Sequence, residues 1–140
     1  MALAPNEALS SAALAEVLSR MGRTEDALEA AAQAQRLASE VADDHLASVG
    51  IAYYLVGRPA EASAVLKQLL AHRPNTLGAH LILAAVYSEL GQEAEARAEA
   101  AEVLRINPHW SLEVCRQRAP IKDPGVLERH LAALRKAGLK

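Results

Sequence analysis

Aromatic residues are almost missing from this chain, which has no phenylalanine, one tryptophan and three tyrosines among 140 residues. Strands of sandwiches and barrels favour aromatic side chains, so this scarcity argues against both architectures. The single cysteine, Cys115, excludes an internal disulfide and a Cys-x-x-Cys metal site. No apolar run approaches the roughly 20 residues that span a bilayer, and the first residues do not resemble a signal peptide. We therefore expect a cytoplasmic protein with no membrane segment.

Alanine is the abundant residue, with 31 copies in the chain. It is the strongest helix former and small enough to let helices pack closely. Residues 1–108 carry 8 basic and 14 acidic residues, whereas residues 109–140 carry 7 basic and 3 acidic residues. The acidic first part and the few aromatics argue against nucleic-acid binding. The basic end is either a solvent-exposed helix face or a contact for an acidic partner.

A short pattern repeats along the chain at a nearly constant interval. Gly22, Gly57 and Gly91 lie 35 and 34 residues apart, and Pro74 and Pro108 also lie 34 residues apart. Four positions after each glycine comes an acidic residue and then an alanine, namely Asp26-Ala27, Glu61-Ala62 and Glu95-Ala96. A fixed period of this length indicates stacked helical units, which commonly present a binding surface.

Apolar residues recur at helical spacing on both sides of each repeated glycine. We therefore predict one domain over 1–140, with two helices in each of the repeats 8–42, 43–75 and 76–108. The glycine ends the first helix of each pair. After Pro108 the period stops, and residues 109–140 predict two further helices, capped by Ser111 and Asp123. No segment alternates with period two, so the predicted fold is all-α.

The spacing within the repeats resembles that of the tetratricopeptide repeat family, whose helix pairs carry small residues where the two helices meet. The resemblance implies a right-handed α-solenoid of three helix hairpins, followed by a two-helix C-terminal cap. In that cap Trp110, Leu127, Leu131 and Leu134 would pack on the third repeat and shield its end. The residues that carry the resemblance are Leu14, Ala15, Leu18, Ala27 and Ala31; Leu46, Val49, Gly50, Tyr53, Ala62, Leu66 and Pro74; and His80, Leu83, Ala84, Tyr87, Ala96, Ala100 and Pro108.

In tetratricopeptide arrays the first helices line a concave groove, so the resemblance implies a protein-interaction module and not an enzyme. Transferred to this chain, the groove positions are Leu9, Ala12, Glu16, Ala47, Ile51, Tyr54, Leu81, Ala85 and Ser88. The cations of the subclass that clamps a peptide carboxylate are missing from these positions. An apolar groove around Ile51, Tyr54 and Leu81 suits an amphipathic helix or an extended apolar peptide. Two alternatives stay open, which are a groove covered by the protein's own chain and a homodimer.

The end of the chain is similar to the ending of many bacterial tetratricopeptide arrays that follow a cyclase domain or a winged-helix regulator domain. The similarity rests on Asn107-Pro108, Trp110, Arg118-Ala119-Pro120, Asp123-Pro124 and Leu134 to Leu139. No cyclase domain accompanies it, so it implies neither cyclase activity nor a nucleotide site. It leaves the alternative of a regulatory or dimerising segment that acts on a domain of another chain.

No pattern of reactive residues points to catalysis. The sequence has no glycine-rich phosphate loop, no Ser-His-Asp set and no carboxylate pair placed for acid–base chemistry, so we predict no catalytic residue and no cofactor. Asp43, Asp44 and His45 are adjacent on a helix and would not converge on one metal ion, which favours helix capping. We predict no metal site, and a buried structural role for the Cys115 thiol.

Overall fold

The computed structural model describes residues 5–37, 43–119 and 121–140, with side chains described for 11–36, 46–119 and 121–140. Helices are the regular elements within these ranges, which confirms the all-α prediction. Along the chain, α1 packs on α2, α3 on α4, and α5 on α6, and successive pairs contact each other. The helices are α1 (Pro5–Arg20), α2 (Thr24–Leu37), α3 (Asp43–Leu55), α4 (Pro59–His72), α5 (Leu77–Glu89), α6 (Glu93–Ile106), α7 (Leu112–Arg118) and α8 (Pro124–Lys136).

The repeated glycines end helices in the way the sequence predicts. Gly22, Gly57 and Gly91 have φ values of 78°, 84° and 76°, in the left-handed region that side chains disfavour. In each repeat the residue after the glycine donates its backbone N–H to a carbonyl five residues earlier, which closes the last turn. These bonds join Arg23 to Leu18 at 3.0 Å, Arg58 to Tyr53 at 2.8 Å and Gln92 to Tyr87 at 2.8 Å.

Small residues lie where the two helices of a pair meet. A Cβ added to Gly50 on α3 would stand 2.6 Å from Cδ2 of Leu66 on α4, so only hydrogen fits there. The alanines at the corresponding contacts are buried, and they are Ala15, Ala27, Ala62, Ala84 and Ala96. Close approach of alanine-rich helices therefore replaces the bulky aromatic contacts that the composition lacks.

Tyrosines connect one helix pair to the next. The Tyr53 hydroxyl on α3 donates to Oε1 of Gln35 on α2 at 2.7 Å. Tyr87 on α5 is buried, and the Lys67 ammonium of α4 lies 5.5 Å from its ring centroid. Both tyrosines therefore lie between neighbouring helix pairs.

The two C-terminal helices fold back across the array. Ser111 caps α7 by accepting from the Val114 N–H, and Asp123 caps α8 by accepting from the N–H groups of Gly125 and Val126. Helix α8 packs against α5, and the Lys122 N–H donates to the Arg20 carbonyl at the end of α1 at 3.3 Å.

This placement corrects the expectation that the tail shields the end of the third repeat. Helix α8 packs on the third repeat, as predicted, but it does so through the first helix of that repeat, α5, and it also packs on α7. Leu131 and Leu134 of α8 are fully buried, and side chains of α8 reach α3. The tail therefore covers the side of the array formed by the first helices α1, α3 and α5.

Candidate functional site: a groove that holds a helix

The predicted groove residues whose side chains are described are either buried or half-buried. Ala12, Tyr54, Ala85 and Ser88 are buried, and the Ser88 hydroxyl is bonded to the Ala84 carbonyl. Ala47, Ile51 and Leu81 are half-buried, and Glu16 pairs with Arg20 on the same helix. Leu9 lies outside the described side chains. Of these residues, Tyr54 forms a hydrogen bond with His130 of α8, while Ile51 and Leu81 line a cavity beside that helix.

Tyr54 and His130 join the groove to α8. The Tyr54 hydroxyl lies 2.7 Å from Nδ1 of His130, and the two rings meet edge to face with centroids 5.4 Å apart. Both residues are buried, so each ring needs the other as its hydrogen-bond partner. Helix α8 is therefore anchored at the middle of the groove by a polar contact inside an apolar surface.

Burial keeps this pair uncharged. Burial, together with the positive charge of Arg129, lowers the pKa of His130 to about 4. It also raises the pKa of Tyr54, and Glu89 adds to that rise. At neutral pH the tyrosine is protonated and the imidazole is neutral, so the hydroxyl and Nδ1 share one hydrogen bond between two uncharged groups.

Arg129 forms a second anchor at the end of α3. One guanidinium nitrogen donates to the carbonyls of Tyr54 and Leu55 at 2.8 and 3.3 Å, and Nε lies 3.3 Å from a carboxylate oxygen of Glu89. Carbonyls at a helix C-terminus carry partial negative charge, which suits a cation. Burial raises the pKa of Glu89, whereas the nearby Arg129 acts in the opposite direction.

A cavity of about 380 Å³ remains between the array and the tail. Its walls come from α1, α3, α5, α7 and α8, and they are mostly apolar. Ile51, Leu81, Trp110, Cys115 and Ile121 are among the lining residues. Trp110 therefore packs between the third repeat and the tail, as predicted, and burial raises the pKa of the half-buried Cys115 thiol.

The basic residues of the tail have different surroundings. Arg116 pairs with Glu128, and Arg129 lies inside the groove contact. Arg135 and Lys136 are exposed in the last turn of α8. The basic tail is therefore partly a structural element and not only a solvated face.

Sequence reasoning missed three residues of this contact: Arg129 as an anchor, Glu89 and His130. The one signal for them is Tyr54, a polar aromatic at a groove position that needs a buried partner. Nothing in the local pattern says which distant residue provides that partner.

Residues 53–113 match the sequence model of the tetratricopeptide repeat family. This segment, just under half of the chain, runs from the end of α3 into α7. The match confirms the prediction of tetratricopeptide repeats for this segment. No curated protein and no solved structure matches the chain. Repeats of this family generally mediate protein–protein interaction and are typically non-enzymatic. The similarity of the tail to cyclase-associated arrays stays a prediction.

Two further observations concern the described residues alone. Among them, no three His, Cys, Asp or Glu side chains come together as a metal site would require. None of the helices in the described ranges combines the length and apolar character needed to cross a bilayer.

Proposed function

We propose that this protein is an interaction module whose groove binds an amphipathic helix of a partner, in exchange with its own helix α8. The observation that carries the proposal is α8 itself, which lies in the groove with Leu131 and Leu134 buried. A surface that accepts one amphipathic helix can accept another with the same pattern. The groove is formed by the first helices of the repeats, with Ile51, Tyr54 and Leu81 at its centre.

The contacts of α8 indicate what a partner helix should carry. An arginine next to the apolar stripe would reach the carbonyls at the end of α3 and the Glu89 carboxylate, as Arg129 does. Two leucines three residues apart would replace Leu131 and Leu134. Because most of the buried surface is apolar, we expect binding to persist as salt is raised.

The tail competes with any partner because it belongs to the same chain. A tethered segment acts at an effective concentration that is on the order of millimolar for a short flexible connection. A partner then binds with an affinity reduced by the fraction of molecules whose groove is open. Weakening the α8 anchor should therefore tighten the binding of an added helix.

The test uses a fluorescent peptide that copies residues 121–140, titrated with the full chain and followed by anisotropy. Arg129→Ala in the protein removes charged hydrogen bonds of the α8 anchor, each worth about 1.5–3 kcal/mol. We expect this variant to bind the peptide about tenfold or more tightly than the unaltered chain. The control is Arg135→Ala, an exposed arginine on the same helix, which should leave the affinity unchanged.

A second substitution locates the binding surface. Ile51→Asp, introduced together with Arg129→Ala, places a charge at the centre of the groove and should abolish peptide binding. Circular dichroism should show unchanged helix content in both variants. Equal affinities of the unaltered chain and Arg129→Ala would contradict exchange with α8, and full binding by the double variant would exclude the groove.

A further inference from the structure

The cavity between the array and the tail has the size and the walls of a small-molecule site. Its volume of about 380 Å³ lies within the range of about 300–1,000 Å³ that ligand pockets in proteins show. Ile51, Leu81 and Ile82 line it from the array, and Trp110 and Ile121 line it from the tail. An apolar molecule that enters such a space leaves water, which is the favourable step of hydrophobic binding.

Two polar groups in the cavity wall have no protein partner. In the described part of the chain, no hydrogen bond or ion pair involves the Arg118 guanidinium. His130 is 4% exposed and bonds Tyr54 through Nδ1, whereas its Nε2 has no hydrogen-bond partner among the described residues. Buried polar atoms are normally hydrogen-bonded. An apolar pocket with a few free polar groups is the usual form of a binding site.

The charges around the cavity favour an anionic ligand. None of the described residues that line it is acidic. Arg20 also lines the cavity, but its charge is compensated because it pairs with Glu16. Arg118 is exposed at the end of α7, so a headgroup bound there would remain in contact with water. One guanidinium matches one carboxylate, which it binds through two parallel hydrogen bonds. A phosphate monoester carries about −1.5 to −2 charges, more than Arg118 alone compensates.

We propose that this cavity binds a single-chain amphiphile with one carboxylate, which is the chemistry of a medium-chain fatty acid. The chain lies among the apolar walls and the carboxylate pairs with Arg118. The cavity volume is near the lower end of the range for ligand pockets, which favours one chain over a two-chain lipid. The ligand lies beside α8 and does not replace it, so this proposal does not depend on the exchange of α8 with a partner helix.

The test is a titration of the full chain with decanoate below the concentration at which decanoate forms micelles. Trp110 is the single tryptophan of the chain and lines the cavity, so its fluorescence reports occupancy. We expect a saturable change in this emission. We also expect a rise in melting temperature, since a ligand that binds the folded chain stabilises it. Acetate has the headgroup without the chain and should produce neither effect.

A pair of variants on α7 tests whether the chain binds inside the cavity. Cys115→Phe places a ring in the cavity and should abolish the rise in melting temperature with decanoate. Its matched control is Gln117→Phe, an exposed position on the same helix, which should keep the full rise. Melting is the readout here because a ring in the cavity can itself alter the Trp110 emission.

A second pair of variants tests the headgroup contact. Arg118→Gln should weaken decanoate binding about fivefold, the upper end for an exposed ion pair. Decanamide, which is uncharged, should bind this variant and the unaltered chain equally. Arg135→Gln, at an exposed arginine that does not line the cavity, should leave decanoate binding unchanged.

Three results would overturn the proposal. They are the lack of any saturable response to decanoate, a full rise in melting temperature in Cys115→Phe, and equal decanoate affinities of Arg118→Gln and the unaltered chain. Circular dichroism checks the fold of each variant. Because Arg118 is exposed and bonded to no other described residue, its variant should fold even if Cys115→Phe does not.

Discussion

Gly50 lies at a close contact between α3 and α4, and replacing it with alanine tests the proposed packing of the helix pairs. The added Cβ would stand 2.6 Å from Cδ2 and 2.7 Å from Cγ of Leu66. Leu66 is itself fully buried, so it has little room to move away. Overpacking of this kind costs about 1–3 kcal/mol. The higher helix propensity of alanine, compared with glycine, offsets about 0.5–1 kcal/mol of this cost. The net expectation is a loss of about 1 kcal/mol.

Gly78 provides a control of the same chemistry. It lies in the first turn of α5, and a Cβ built there meets no atom within 4 Å. Gly78→Ala should therefore keep the gain in helix propensity without a clash, and raise the free energy of unfolding by up to about 0.5–1 kcal/mol. The two substitutions are identical, so their opposite signs isolate the contact with Leu66.

Urea denaturation measures both changes in the free energy of unfolding, and thermal unfolding measures the melting temperatures, each followed by far-ultraviolet circular dichroism. The melting temperature should fall by about 3 °C in Gly50→Ala and rise slightly in Gly78→Ala, at about 3 °C per kcal/mol. If Gly50→Ala were as stable as Gly78→Ala, α3 and α4 would not approach as closely as described. The predicted register of the repeats would then be wrong at this position.

Two further predictions concern the core of a helix pair and the α8 anchor. Ala62→Leu fills a fully buried site on α4 and should cost about 1–3 kcal/mol, whereas Ala64→Leu, exposed on the same helix, should change the melting temperature little. His130 has a pKa of about 4 when folded and about 6.5 when unfolded, so the unfolded chain takes up the proton first on acidification. Stability from this residue is complete above pH 6.5 and falls by at most about 3 kcal/mol as pH drops to 4. Urea titrations at several pH values should show this loss, and His130→Gln should lack it. An unaltered chain with the same pH dependence as His130→Gln would contradict a buried neutral imidazole.

The helices follow from local sequence signals. Glycines end α1, α3 and α5, Pro59 and Pro124 stand in the first turns of α4 and α8, and Ser111 and Asp123 supply side-chain caps. Each signal acts within a few residues, so it can be found without knowing the fold. The spacing of small residues likewise predicts where α3 and α4 make contact, because a side chain at position 50 would clash with Leu66.

The position of the tail does not follow from such signals. Leu131 and Leu134 give α8 an apolar face, and that face suits the groove as well as the end of the third repeat. The choice depends on contacts between residues about 75 positions apart, such as Tyr54 with His130. Whether Ile51 and Leu81 bind a partner is likewise outside what an apolar pattern can say, because the same pattern serves an internal contact.

The backbone hydrogen bond between Lys122 and Arg20 has a consequence for how the chain unfolds. In a stack of repeats each unit contacts only its neighbours, so the ends can open while the middle stays folded. Here the segment before α8 is bonded to the end of α1, and α8 itself touches α3 and α5. Because of these contacts, unfolding of the first or the last helix pair would also break contacts that the C-terminal segment makes with the rest of the array. Unfolding should therefore approach a single all-or-none transition, in which the array loses the independence of its repeats.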